Sequence, residues 1–293
     1  MCKQWGYTGV TDVRIPYVDL LTRVGETNRC PGGKHTVRRI ARRLGVGPQT
    51  RVLEIGSNTG FTSLELVKIS GCEASGIDVN AAAVAEANRR AAGLANGLGE
   101  RVQFQVGDAC RLPFPDDSFD LIVCGGANSF IQDRARAFAE YARVLRPYGY
   151  VSITNLYYRS QPPAQLLAQL RDVLGFEISP YGLTDWLTIL APDPWELYTL
   201  STTDLTSRQP AVIDEYVDQM CAESLADCER AEAAAITNQW REVMHLFNRN
   251  HAYLSYMELT LRLNDIPEQP EVFLPQGGYD TFFERDFIST TTN

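Results

Sequence analysis

The chain has 293 residues, 44% of them hydrophobic, and a formal net charge of −9. That is enough apolar material for one elaborated globular domain, and no apolar run reaches the length of a membrane span. The acidic balance argues against a nucleic-acid partner, because phosphate recognition uses a basic face.

The first residues, Met1-Cys2-Lys3-Gln4-Trp5, contain no apolar signal core. Seven cysteines (Cys2, Cys30, Cys72, Cys110, Cys124, Cys221 and Cys228) are scattered without a C-x-x-C pair. An odd, dispersed set reads as free thiols in a reducing compartment, so the expected location is cytoplasmic. Residues 1–33 precede the first clear helix and carry Trp5, Tyr7, Tyr17 and the turn Cys30-Pro31-Gly32-Gly33. The pattern Val37, Ile40, Ala41, Leu44 predicts a helix over Lys34–Leu44, stopped at Gly45. Arg38, Arg39, Arg42 and Arg43 lie opposite that stripe and read as a solvated face.

The most informative stretch follows. Arg51-Val52-Leu53-Glu54-Ile55 is a short apolar strand that contains an acid. The loop Gly56-Ser57-Asn58-Thr59-Gly60 comes next, and then a helical run through Leu64, Leu66 and Val67. Glycines allow a close backbone approach to a ligand, and open α/β sheets bind ligands at the carboxyl ends of their strands. The spacing is not the G-x-G-x-x-G of dinucleotide enzymes, so a ligand without phosphates fits better.

A second strand pattern, 74–79, carries the acid Asp78 at its end. This lies about 20 residues beyond the glycine loop, where an acid reaches ribose hydroxyls in α/β nucleotide folds. Asn80 suits the N-cap of an alanine-rich helix, Ala81–Ala92. A third pattern, 102–107, runs into Asp108-Ala109. Phe114-Pro115-Asp116-Asp117-Ser118-Phe119-Asp120 leads into a fourth strand, 119–124, which ends at Cys124. Val144-Leu145-Arg146-Pro147-Tyr148-Gly149-Tyr150 turns into a fifth, 150–155. Strands alternating with helices predict a parallel sheet with right-handed crossovers.

In this order and spacing, residues 50–155 resemble class I S-adenosylmethionine-dependent methyltransferases of the ubiquinone and sterol type. The glycine loop is similar to the family's D/E-x-G-x-G-x-G, with Asn58 at the middle glycine. The segments before strands four and five resemble its P-F-x-D-x-x-F-D and L-R-P-G-G. Pro31-Gly32-Gly33 with Thr36 resembles a P-G-G-x-x-T stretch that lies against the methionine moiety of the cofactor. The resemblance implies an α/β, Rossmann-like, seven-stranded, mostly parallel sheet with helices on both faces. It implies S-adenosylmethionine as cofactor and S-adenosylhomocysteine as product. The cofactor set it points to is Thr36, Glu54, Gly56, Ser57, Asn58, Gly60, Asp78, Val79, Asp108, Ala109 and Cys124, with Asp78 on the ribose and Asp108 near the adenine amino group.

Beyond strand five lie a short helix near Leu166–Val173, a helix at Thr184–Leu190, and a sixth strand near Glu196–Leu200. The stripes Ile213, Tyr216, Val217, Met220 and Ile236, Trp240, Val243, Met244, Phe247 predict two one-faced helices. A seventh strand is expected over His251–Leu259. The expected organisation is an N-terminal cap segment (1–33), a methyltransferase domain (34–262) and a C-terminal tail (263–293). Helical lid insertions are expected at 157–182 and 211–249, because in the resembling topology both segments leave the sheet on its ligand side.

Methyl transfer to a hydroxyl or a protonated amine needs a base. His251, at the start of the seventh strand, is the favoured histidine over His35 and His245. Asn128, just past strand four, is a polar group near the expected methyl position. Trp5, Tyr7, Tyr17 and Tyr157 are candidate aromatic faces for a sulfonium. The expected reaction is methyl transfer to N, O, C or S of a small metabolite, with no metal and with a homodimer as the assembly considered. Two alternatives stand beside it: an arsenite-type methyltransferase using Cys30, Cys124 and Cys221, and a non-catalytic S-adenosylmethionine-binding protein.

Overall fold

The computed structural model describes residues 14–27, 30–190 and 195–263. Seven strands form one sheet: β1 (Arg51–Ile55), β2 (Glu73–Asp78), β3 (Val102–Val106), β4 (Phe119–Cys124), β5 (Leu145–Tyr158), β6 (Trp195–Asp204) and β7 (Leu254–Leu263). The helices among the described residues are α1 (Tyr17–Arg23), α2 (Gly33–Arg43), α3 (Phe61–Ser70), α4 (Ala81–Ala92), α5 (Arg134–Val144), α6 (Ala164–Leu174), α7 (Leu183–Leu190), α8 (Pro210–Ser224) and α9 (Arg230–Asn250).

The sheet order is β3-β2-β1-β4-β5-β7-β6. The first five strands run parallel, with Ile55 opposite Ile77 and Cys124 in register. The chain winds outward from β1 to β3 and then returns to β4 on the other side of β1. This reversal is a topological switch point, the place where open α/β sheets bind ligands at the carboxyl edge. Val52, Leu53, Glu54 and Ile55 are buried at consecutive positions, as a parallel strand covered on both faces requires. Beyond β5 the direction changes. The Arg159 amide donates to the Tyr253 carbonyl at 3.0 Å, and the Leu205 amide to the Leu254 carbonyl at 3.0 Å. The ends of β5 and β6 therefore meet the start of β7, which runs antiparallel to both.

The chain divides into two compact units. Of the described residues, 30–157, 181–190, 195–203 and 256–263 form a sheet unit, and 14–27, 158–180 and 204–255 form a helical unit. The sheet unit holds two apolar clusters. One joins Leu53, Ile122 and Ile153 to Tyr141, Trp186 and Trp195, and the other joins Val52, Leu66 and Val123 to Val37 and Ala87. The helical unit has a core of its own, in which Leu20 and Val24 of α1 meet Val217 of α8 and Ile236, Trp240 and Val243 of α9. No described helix is long and apolar enough to cross a membrane.

Several sequence expectations change here. The seven-residue α1 carries too short a periodicity to read from sequence. The turn before strand five is absorbed into β5. Tyr148 takes a φ of 62°, and the pairing with β4 shifts between Phe119 and Leu121, so the strand bulges instead of ending. His251 does not begin β7. It opens a 3-10 turn, His251–Tyr253, at the end of α9. Arg39 is exposed, as a solvated face requires, but it is also paired: its guanidinium meets the buried Glu258 carboxylate of β7 and the Tyr256 hydroxyl. Trp5, Tyr7 and the tail from residue 264 lie outside the described residues.

Candidate cofactor and active site

The site is built around the loop after β1. Gly56 has a φ of 65°, and a Cβ there would lie 2.3 Å from the Ala127 Cβ. Glycine is therefore required on two counts, a left-handed backbone and a close approach between the β1 and β4 loops. Gly60 has a φ of 84°, and a Cβ there would meet the Phe104 ring at 2.7 Å.

Between them, Asn58 takes a φ of 44°. Asparagine is among the few residues that enter the left-handed region readily. Its Oδ1 accepts from the Thr59 amide at 2.7 Å, which holds that conformation. Asn58 thus performs the backbone task of the family's middle glycine. Replacing it with glycine keeps the conformation and removes only the local cap. Asn58→Gly should therefore bind cofactor within about threefold of wild type, well under the 1.4 kcal/mol of a tenfold change. Calorimetric loss of binding would assign the carboxamide itself to the ligand.

Asp78 closes β2 beside this loop. Its Oδ2 accepts from the Asn58 amide at 2.8 Å and its Oδ1 from the Asn80 amide at 2.8 Å. Each carboxylate oxygen keeps further acceptor capacity for a diol. The Asn80 side chain accepts from Ala82 and Ala83 and caps α4 as the sequence suggests. Val79 is 76% exposed and Val106, in register with Asp78, is 55% exposed. These two bare apolar side chains suit the face of a flat base. Asp108 is exposed, and its Oδ1 accepts from the Cys110 amide at 2.9 Å, while Ala109 is buried in the core. Ser57 Oγ is buried and has no hydrogen-bond partner. A half-satisfied acid, an orphan hydroxyl and two uncovered valines around one glycine loop fit an adenosyl group.

Glu54 does different work. It is 4% exposed, and its Oε2 accepts from the Ser63 amide at 2.9 Å, inside the first turn of α3. It caps a helix whose own N-cap, Gly60, has no side chain to offer. Burial raises its pKa from 4.5 to about 7, against the lowering effect of bonds from Ser63 and Thr62. The folded value lies above the unfolded one. The folded protein thus holds the extra proton between about pH 4.5 and 7 and loses stability as pH rises through that window. Glu54→Gln keeps an acceptor for Ser63 and removes the titration. Its melting temperature should decline less than that of wild type from about pH 5 to about pH 8. Parallel curves would show that Glu54 ionises freely.

Thr36 is fully buried. Its hydroxyl lies 2.8 Å from the Pro31 carbonyl and 3.3 Å from Glu258 Oε1, so it fastens the Pro31-Gly32-Gly33 turn. Cys124 is buried at the end of β4, and burial pushes its thiol up to about 11. Burial, with the Glu54 charge, pushes Cys30 up to about 12. Thiolates are the nucleophiles and metal ligands of cysteine chemistry, and these two thiols are held protonated. Cys221 belongs to α8 in the helical unit. Among the described residues no group of histidines, cysteines and acids forms a metal cluster.

Asn128 sits in a 3-10 turn after β4 and is fully buried, with Tyr141 donating to its Oδ1 at 3.0 Å. Tyr157 is buried in the apolar cluster of the sheet unit. Tyr17 packs edge-on to Phe247 in the helical unit, with ring centroids 5.6 Å apart. His245 pairs with Asp214 at 2.8 Å. His251 belongs to the helical unit, where burial first and the charge of Arg208 second lower its pKa. The imidazole is therefore neutral near pH 7, the form a general base requires. Hydrogen bonds and close approach bring together the Gly56–Gly60 loop, Asp78 and the turn at Ala127. The pair Asn155 and Ser129, at the carboxyl ends of β5 and β4, was not singled out in the sequence. The available signal was a polar residue in the alternating apolar run Val151, Ile153, Tyr157.

A family model described as "Methyltransferase domain" matches residues 53–153, which span β1 to β5. An uncharacterised Haemophilus influenzae protein is 31% identical over 172 residues, covering 57% of this chain and 67% of that protein. The chain belongs to the S-adenosylmethionine-dependent methyltransferases. The ubiquinone/menaquinone biosynthesis C-methyltransferase of Marinomonas is 31% identical over 154 residues, covering 51% of this chain and 59% of that enzyme. Apart from the Haemophilus protein, the chain spans less than two thirds of the length of the first curated relatives. The crystal structure of MccD protein superposes with a TM-score of 0.69 at 24% identity, over 81% of this chain and 100% of that one. The match shows the fold of this methyltransferase. A geranyl diphosphate methyltransferase solved in complex with SAM shares the fold, with a TM-score of 0.54 at 19% identity over 79% of this chain and 85% of that one.

Proposed function

We propose that this methyltransferase transfers the S-adenosylmethionine methyl group to a small-molecule acceptor. The observation that carries the reading is the Asp78 carboxylate, held by two backbone amides beside a left-handed glycine–asparagine loop. The donor supplies an electrophilic methyl group on a sulfonium when bound. The protein orients it and excludes water. Asp78 engages the ribose diol, and Val79 and Val106 cover the faces of the base. Gly56 and Gly60 let the backbone approach, and Asp108 stands at the end of β3 for the adenine amino group. Asn128 lies on the turn that touches Gly56.

The acidic surface favours a metabolite over a nucleic acid as acceptor. We assign His251, whose imidazole is neutral near pH 7, the role of general base. The scattered thiols favour the cytoplasm, and a homodimer is tested by sedimentation. His251→Ala should lower the transfer rate with little effect on cofactor affinity. It should also remove the acidic limb of the pH–rate profile, and an unchanged profile would return His251 to a structural role. The protonated state of Cys30 and Cys124 weighs against the arsenite-type alternative.

A further inference from the structure

Two buried carboxamides beside the switch point have NH2 groups without partners. Asn155 is 2% exposed and lies near the carboxyl end of β5. Val151, Ile153 and Tyr157 of the same strand enter the apolar core, and Asn155 falls in their alternating register. Ser129 donates to Asn155 Oδ1 at 2.8 Å, which engages the carbonyl end of the amide. Asn155 Nδ2 is fully buried and makes no hydrogen bond. Asn128 repeats the arrangement: the Tyr141 hydroxyl holds its Oδ1, and its Nδ2 is buried and unpaired. A buried donor left in this way is destabilising, because it has given up its hydrogen bonds to water and gained none. A residue needed only for packing would lose nothing as leucine.

We propose that Asn155, oriented by Ser129, is a specificity-determining residue whose Nδ2 donates to a hydrogen-bond-accepting oxygen of the methyl acceptor. The oxygen is a carbonyl, carboxylate or phenolate near the methylated atom. This rests on the methyltransferase reading above and narrows its substrate class. Position separates the two sources of such an oxygen. The ribose and adenine acids stand on β2 and β3, on one side of β1, whereas β5 is on the other. At about 4.8 Å per strand, β5 lies roughly 14 Å from β2, away from the proposed ribose and adenine contacts. Asn128, beside Ala127 and Gly56, stands closer to the donor. Ser129 is half-buried on a loop with Gly125 and Gly126, the latter at a φ of 103°, so the loop that aims Asn155 also gives access to it.

Asn155→Leu tests this in the full chain. The ligand-free melting temperature should stay level or rise, because an orphan donor is removed. S-adenosylhomocysteine affinity should remain within about twofold, while labelled methyl incorporation into a small-metabolite extract falls at least ~100-fold, as when a site built to bond an oxygen loses that bond. Ser129→Ala, which leaves Asn155 in place, should lower incorporation about tenfold, and mainly through KM. Unchanged incorporation overturns the proposal. So does a parallel loss of S-adenosylhomocysteine affinity, which would make the partner the cofactor carboxylate. A lowered melting temperature that accounts for the whole loss overturns it as well. A wild-type chain that transfers no label instead contradicts the methyltransferase reading. The side-chain 15N amide signals of Asn155 in the S-adenosylhomocysteine-saturated protein then decide. Shifts with benzoate and acetophenone but not with toluene support the donor role, and no shift refutes it.

Discussion

Asp78→Ala should weaken S-adenosylmethionine binding by at least tenfold while the fold persists. The carboxylate receives the Asn58 and Asn80 amides at 2.8 Å each, so it is fixed before the ligand arrives. Two ribose hydroxyls bonded to it are each worth about 1.5–3 kcal/mol as charge-assisted bonds, and even one exceeds the 1.4 kcal/mol of a tenfold change. Removing the side chain also frees the Asn58 amide and loosens the left-handed loop, so the loss is larger than the ribose contacts alone. The sheet core does not depend on Asp78, and the melting temperature should change little. Calorimetry with S-adenosylhomocysteine measures this directly, and an unchanged affinity would remove Asp78 from the site.

Trp240→Ala should separate cofactor binding from turnover. Trp240 is 1% exposed at the centre of the helical unit, packed with Leu20, Val24, Val217 and Ile236. Its indole nitrogen has no hydrogen-bond partner, so its contribution is packing. A cavity of that size costs about 3–5 kcal/mol, enough to open a small core by itself. The sheet unit keeps its own two clusters, and none of the proposed adenosyl contacts involves the helical unit. Hydrogen exchange should therefore show lost protection in α8 and α9 with little change in β1 to β4. S-adenosylhomocysteine affinity should stay within a few-fold, and methyl transfer should fall by orders of magnitude, because His251, the proposed base, ends the opened helix α9. A folded variant with open α8 and α9 that turns over at the wild-type rate would make the helical unit an appendage.

The parallel half of the fold was legible because its signals are local. An apolar run, a left-handed glycine loop and an N-cap each act within a few residues, and β1, β2, α4 and the Asn58 loop follow from them. Asp78 was legible for the same reason, since an acid at a strand end needs no partner from afar to be placed. What the sequence withheld depends on contacts between distant residues. Glu54 reads as a ligand-facing acid until α3 is seen to bring the Ser63 amide onto it. Arg39 reads as an unpaired surface charge until β7 returns with Glu258, more than 200 residues later in the chain. Asn155 reads as an ordinary strand residue until the β4 loop sets Ser129 on its carbonyl. The 3-10 turn that displaces His251 from β7 arises where the Arg159 side chain donates to the carbonyls of Ala252 and Leu254, which no local pattern encodes.

Methyl transfer to a small molecule has a defined stoichiometry that one reaction measures. The purified chain is incubated with methyl-labelled S-adenosylmethionine and a small-metabolite extract. S-adenosylhomocysteine and labelled small molecules are then counted together. One labelled methyl group is expected in the small-molecule fraction for each S-adenosylhomocysteine formed, and neither product with Asp78→Ala at donor concentrations below its weakened affinity. Binding of the donor without any S-adenosylhomocysteine above the enzyme-free control would contradict that expectation, as would label found only in precipitated protein or nucleic acid.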